Sequence, residues 1–131
     1  MSVLNKGNRL NNRRTEIVAQ SFTTNPAVTT STVTQITNRS TGVTLDATAG
    51  QITTDSTSLA AAAEASFVVT NARCQAKSVP VVAIASGSTG GVLIAGVSAV
   101  ADGSFTITYS NTGASPETGA SVINFVLLGV E

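Results

Sequence analysis

The sequence contains no histidine and no tryptophan, and it has a single cysteine, Cys74. Without histidine, the chain lacks the commonest general base, the Ser-His triad and most zinc sites. The carboxylates are scattered singly, with no pair at the spacing of a glycosidase dyad or a calcium loop. We therefore expect a protein that is not an enzyme and that uses no cofactor and no metal.

A lone cysteine has no partner for an intramolecular disulfide, so Cys74 does not indicate a secreted, disulfide-stapled scaffold. Two cations lie close to it in sequence, Arg73 and Lys77, and cations near a thiol lower its pKa. No imidazole is present to act with the thiol. We interpret Cys74 as a structural residue.

Large side chains and charged side chains are both scarce. Charged residues make up 11% of the chain, and the aromatic residues are four Phe and one Tyr. Buried apolar area contributes roughly 25 cal/mol per Å², so a core made mainly of Ala and Val is expected to be only modestly stable alone. Oligomerisation would add to that stability. The alternative is a monomer that Ser and Thr hydroxyls keep soluble.

Long hydrophobic runs are also absent. No stretch approaches the roughly 18 consecutive apolar residues of a membrane span, and the basic N-terminus is followed by no apolar signal segment. We expect a soluble chain that is made in the cytosol and does not associate with membranes.

The charge that is present is unevenly distributed. The formal net charge is zero, but residues 1–15 hold four of the seven basic residues and no acid, so the rest of the chain is net −4. Residues 1–15 show neither strand nor helix periodicity, and we predict an extended basic arm over residues 1–20. Its partner-binding residues are Lys6, Arg9, Leu10, Arg13 and Arg14. The alternative is a frayed terminus without a role.

The arm has no aromatic residue to stack on a base, so we expect it to bind an acidic protein surface rather than nucleic acid. Residues 21–131 are predicted to form one β-domain, since the length supports a single core. Short β-branched runs separated by turn signals predict an all-β fold: an antiparallel β-sandwich or jelly-roll-like barrel of about eight strands. The predicted strands are Thr32–Asn38, Gly42–Asp46, Gln51–Thr54, Ala65–Asn71, Val79–Ser86, Val92–Val100, Ser104–Tyr109 and Ser121–Val130.

Alternation within the strands predicts which side chains face the core. Val43 and Leu45 are expected on one face, and so are Phe105, Ile107 and Tyr109. The segments 79–85 and 125–128 are nearly continuous apolar runs, typical of strands buried on both faces, either centrally in the sheet or against another subunit. Asp102-Gly103 is the best hairpin signal, and the loop 87–91 is interpreted as a second hairpin. The Ala-rich segment 59–65 is too short for a stable helix, so we predict a loop or an extended edge segment, with a single helical turn as the alternative.

Four segments together resemble a family of small bacteriophage virion proteins. They are VTQITNRSTGVTLDATAGQITT (33–54), AAAAEASFVVTNAR (60–73), VSAVADGSFTITYSN (97–111) and VINFVLLG (122–129). The resemblance leaves the arm uncovered, and it departs from the family pattern at the Ala60–Ala63 run, where a glycine is expected. It implies a capsid decoration or cement protein, often trimeric, on the outer capsid surface of the virion, with the major capsid protein as its partner.

Two other functions remain open. Similar modules occur in tail and fibre proteins, and a β-sandwich can also recognise a host-surface glycan. Glycan sites usually place aromatic rings against the sugar, and the chain offers only Phe22, Phe67, Phe105, Tyr109 and Phe125. At least Phe105 and Phe125 are expected in the core, which leaves few rings for a glycan platform.

Overall fold

The computed structural model describes residues 30–87 and 92–129, and within these residues it contains eight strands and no helix. The predicted all-β class and number of strands are therefore confirmed, as is the absence of a helix at the Ala-rich segment 59–65. The β5 strand matches its prediction at both ends, whereas β1 begins and ends earlier than predicted. The strands are β1 Thr30–Thr34, β2 Val43–Thr44, β3 Ala49–Thr53, β4 Glu64–Thr70, β5 Val79–Ser86, β6 Leu93–Ala101, β7 Ser104–Asn111 and β8 Val122–Leu128.

The strands form two four-stranded sheets. Sheet I has the order β1-β3-β8-β5, and sheet II has the order β2-β4-β7-β6. Within sheet I, β8 is antiparallel to both β3 and β5. Within sheet II, β7 is antiparallel to both β4 and β6. The last strand of the described chain is therefore an interior strand of its sheet.

Both sheets are mixed, so the prediction of an antiparallel domain is wrong at two strand pairs: β1 is parallel to β3, and β2 is parallel to β4. The reason is that the first six strands alternate between the sheets. β1 and β3 are therefore joined through a strand of the other sheet, as are β2 and β4, and such a crossover connection is what a parallel pair needs. Turn residues predict a reversal but not which sheet the next strand joins.

The same alternation corrects two further predictions. The sheets are not closed into a barrel, since each keeps two edge strands. The predicted hairpin at 87–91 is wrong, because β5 lies in sheet I and β6 lies in sheet II. Residues 88–91 themselves lie outside the described residues.

One hydrophobic core is shared by the two sheets. Phe105 of sheet II and Phe125 of sheet I pack with their ring centroids 5.4 Å apart, and Phe67 meets Tyr109 edge to face at 6.1 Å, an arrangement that aromatic pairs favour. The predicted core-facing residues are confirmed, since all of them are buried: Val43, Leu45, Phe105, Ile107 and Tyr109.

Residues with a positive φ lie in the turn between β6 and β7 and in the turn before β4. Asp102 and Gly103 connect β6 to β7 as the predicted hairpin, and Gly103 has a φ of 82°, a left-handed conformation that glycine adopts without a steric penalty. Ala62 lies in the turn before β4 with a φ of 58°. It occupies the left-handed region in the same run where the family pattern led us to expect a glycine.

Candidate interaction surface

No candidate metal site is found in residues 30–87 and 92–129. Among these residues no three His, Cys, Asp or Glu side chains lie close enough to hold a metal ion. A cleft of about 640 Å³ lies beside β1, β3 and β8, and it is lined by uncharged residues such as Thr32, Gln51 and Asn124. The same residues include no helix with the length and hydrophobicity needed to cross a membrane.

The most distinctive surface feature is the outer face of β5 and β8. Val79 pairs with Leu128 across the two strands, and Val81 pairs with Val126. Directly paired residues lie on the same face of a sheet, so these four side chains are neighbours. They are 49%, 51%, 48% and 39% exposed, respectively. We call this group the β5–β8 face.

The β5–β8 face exists because both strands carry apolar residues at successive positions. Phe125 and Leu127 point into the core and are buried, whereas Val126 and Leu128 alternate with them and point outward. Within residues 30–87 and 92–129, these two runs are thus buried on one face only. Their burial against another subunit stays a prediction.

No charged residue occupies a strand position on the outer face of sheet I. Beside the β5–β8 face, the outward positions carry Ala, Thr, Gln and Asn, and Gln51 is paired with Asn124. Charged side chains are the usual means by which a soluble protein keeps an exposed strand from associating. This face has none of that protection.

The edge strand of sheet I beside this face is β5, which contains Pro80. Leu127 is the pairing partner of Pro80, and its N–H donates to the carbonyl of Thr48, on the opposite side of β8. Pro80 and Leu127 therefore form a non-hydrogen-bonded pair of the antiparallel ladder. The imide nitrogen of Pro80 consequently faces the open edge and gives it no donor, which disfavours the addition of another strand there.

The outer face of sheet II is different in chemistry. The Ser66 and Thr108 hydroxyls lie 2.7 Å apart, and Thr108 donates to the Ser98 hydroxyl at 2.8 Å. Val68 is 46% exposed on this face, but its cross-strand partner is Thr106. Apolar and hydroxyl side chains are interspersed here, so this face is less suited to a dry interface.

A buried arginine joins three loops at one end of the domain. Arg39 is 4% exposed; its Nη1 donates to Thr54 Oγ1 at 3.2 Å, its Nη2 donates to the Gly119 carbonyl at 2.6 Å, and its Nε donates to the Thr57 carbonyl. Its guanidinium also lies 5.9 Å from the centroid of the Tyr109 ring. This role could not be predicted from the sequence, because nothing in the local sequence marks an arginine as buried.

Cys74 is buried, and its thiol donates to the Ser104 carbonyl at 3.3 Å. Burial raises the pKa of this thiol, although hydrogen bonds from its surroundings oppose the shift. A lowered pKa caused by Arg73 and Lys77 is therefore not found. The structural role assigned to Cys74 agrees with its position between the ends of β4 and β7.

The sequence-predicted arm, residues 1–20, lies outside the described residues, and so do its binding residues Lys6, Arg9, Leu10, Arg13 and Arg14. The boundary between arm and domain at residue 20 lies outside them as well. The surface residues found here were indicated in the sequence only as apolar runs.

No protein-family model, curated protein or solved structure matches this chain.

Proposed function

We propose that this protein is a bacteriophage capsid decoration protein, a β-sandwich that binds the outer capsid surface and stabilises contacts between major capsid subunits. The observation that carries the proposal is the division of charge and surface type along the chain. Residues 1–15 are net +4 and the remainder is net −4, while the domain presents an uncharged apolar face at β5 and β8. The chain thus combines a basic segment for an acidic partner with a domain suited to association.

In this function the basic arm contacts the major capsid protein, and the domain forms a homotrimeric knob with two other copies. Attraction between exposed charges is screened by salt over about 8 Å at physiological ionic strength. Binding to the capsid is therefore expected to weaken as salt rises, through slower association.

The glycan-binding alternative is less well supported. All four aromatic residues within the described part of the chain are buried: Phe67, Phe105, Tyr109 and Phe125. Their rings are engaged with one another in the core, and sugar faces need accessible rings. Micromolar binding on a glycan array would favour this alternative over ours.

Binding to capsids that lack the protein tests the arm. Deleting residues 2–15, or changing Arg9, Arg13 and Arg14 to Gln, is expected to reduce occupancy strongly and to remove its salt dependence. The matched control changes two exposed cations of the domain, Arg73 and Lys77, to Gln and should leave occupancy unchanged. Undiminished occupancy of the arm variants would refute the role of the arm.

The number of copies per particle separates the decoration function from a tail or fibre function. Mass spectrometry of purified virions should find hundreds of copies if the protein covers the capsid. A handful of copies per particle would instead indicate a tail or fibre component.

A further inference from the structure

We propose that the β5–β8 face packs against a second copy of this chain. The inference deepens the self-association that is part of the proposed function. It names the surface that associates, and it can be tested without any capsid.

The exposed apolar side chains of the β5–β8 face are contiguous. Val79 with Leu128 and Val81 with Val126 are two neighbouring cross-strand pairs, and each of the four side chains is between 39% and 51% exposed. Single exposed apolar residues need no explanation, but contiguous apolar patches on soluble proteins mark interaction sites. Val68 illustrates the contrast, since it has a similar exposure of 46% but faces Thr106 across the strand pair.

The uncharged surface of the β5–β8 face suits a partner that is itself uncharged and apolar. The strand positions of this face are uncharged, and a partner rich in carboxylates would lose hydration here without gaining a hydrogen bond or an opposite charge. A second copy brings the same uncharged apolar surface, so no like charges meet. Next to the apolar centre, the paired amides of Gln51 and Asn124 provide donors and acceptors for the polar rim of an interface.

The edge of β5 at Pro80 does not favour strand addition. Pro80 presents no N–H to the free edge of β5, as its pairing with Leu127 shows. Strand addition is therefore disfavoured at this position, and association through the face of the sheet is favoured. A two-fold dimer sets two such faces against each other, and a trimer gathers three of them around its axis.

The test compares two substitutions of matched type and exposure in the full chain. Val81→Asp places a carboxylate on the β5–β8 face, whereas Val68→Asp places one on the outer face of sheet II at nearly the same exposure. Sedimentation equilibrium over a range of concentrations should find a dimer or trimer for the wild type and for Val68→Asp. Val81→Asp should associate at least roughly 30-fold more weakly, the effect of losing an interface hot spot.

Two further measurements keep the outcome decisive. Circular dichroism establishes that each variant is folded, and Val81→Thr, which keeps the β-branched shape, replaces the aspartate variant if the latter is not. In the wild type, the methyl groups of Val81 and Val126 should become shielded from a soluble paramagnetic probe as the concentration rises.

Three results would overturn the inference. One is equal association of Val81→Asp and Val68→Asp. Another is a wild type that is monomeric at all concentrations with these methyl groups accessible, which would leave the face to a different protein. The third is a monomer with the methyl groups shielded at all concentrations, because the chain's own residues 1–29 would then be the occupant. Loss of capsid binding in the arm variants is scored separately, so failure of the proposed function is distinguishable from failure of this inference.

Discussion

Replacing Arg39 by methionine tests whether the buried guanidinium holds the loops together. The change Arg39→Met removes three hydrogen bonds, to the carbonyls of Thr57 and Gly119 and to the hydroxyl of Thr54. Hydrogen bonds to charged groups each contribute about 1.5–3 kcal/mol. Removing a buried cation also recovers several kcal/mol of desolvation, so we expect a net loss of about 2–4 kcal/mol in the free energy of unfolding.

The assay is urea unfolding followed by circular dichroism, with thermal unfolding as a second measurement. A loss of this size should lower the Tm by about 10 °C or more in a domain of this length. The control, Arg73→Met, removes the same charge from an exposed arginine and should change stability by less than about 0.5 kcal/mol. If Arg39→Met costs no more than Arg73→Met, the guanidinium is not what joins these loops.

Three further predictions concern backbone strain and titration. Gly103→Ala should destabilise the domain by about 1–2 kcal/mol, because alanine is strained at the positive φ of this position. Ala62→Gly should not destabilise it, since Ala62 already has a φ of 58° and an exposed side chain. Denaturant titrations compare the two variants, and a stable Gly103→Ala with a destabilised Ala62→Gly would contradict the left-handed conformation of these two residues. Burial raises the pKa of the Cys74 thiol from 9.0. The stability that the buried neutral thiol contributes should therefore be fully present below the unfolded pKa and fall as pH rises through the alkaline range. A thiol reagent should modify the native protein only as fast as the structure around Cys74 opens. The hydroxyl and N–H of Thr57 hold the pKa of Asp55 below its usual 3.8. The stability that Asp55 contributes should therefore be fully present above pH 3.8 and be lost as pH falls through the lowered pKa, and Asp55→Asn should remove this acid-dependent part of the stability curve.

The location of the strands could be predicted from the sequence because alternation and turn residues are local signals. Val43 and Leu45 alternate with polar residues, and Asp102-Gly103 is a short-range hairpin signal, so each was found. The parallel pairing of β1 with β3 could not be predicted in this way. It depends on which sheet receives β2, and that is decided by packing between residues distant in sequence.

The candidate surface was only half predictable for a related reason. The apolar run at Phe125 to Leu128 indicated burial on both faces, but the sequence did not say whether the second face is covered by the same chain. Arg39 could not be predicted at all, because its acceptors belong to residues 54, 57 and 119, which only the folded chain brings to it.

The interior position of β8 has a consequence for the order of folding during synthesis. β8 is made after the other seven strands, yet it lies between β3 and β5 in sheet I. Until residues 122–128 leave the ribosome, β3 and β5 have no shared neighbour and keep unpaired edges, whereas all four strands of sheet II are already available. Sheet II is therefore expected to form first, and nascent chains stalled before β8 should be prone to aggregation through those open edges.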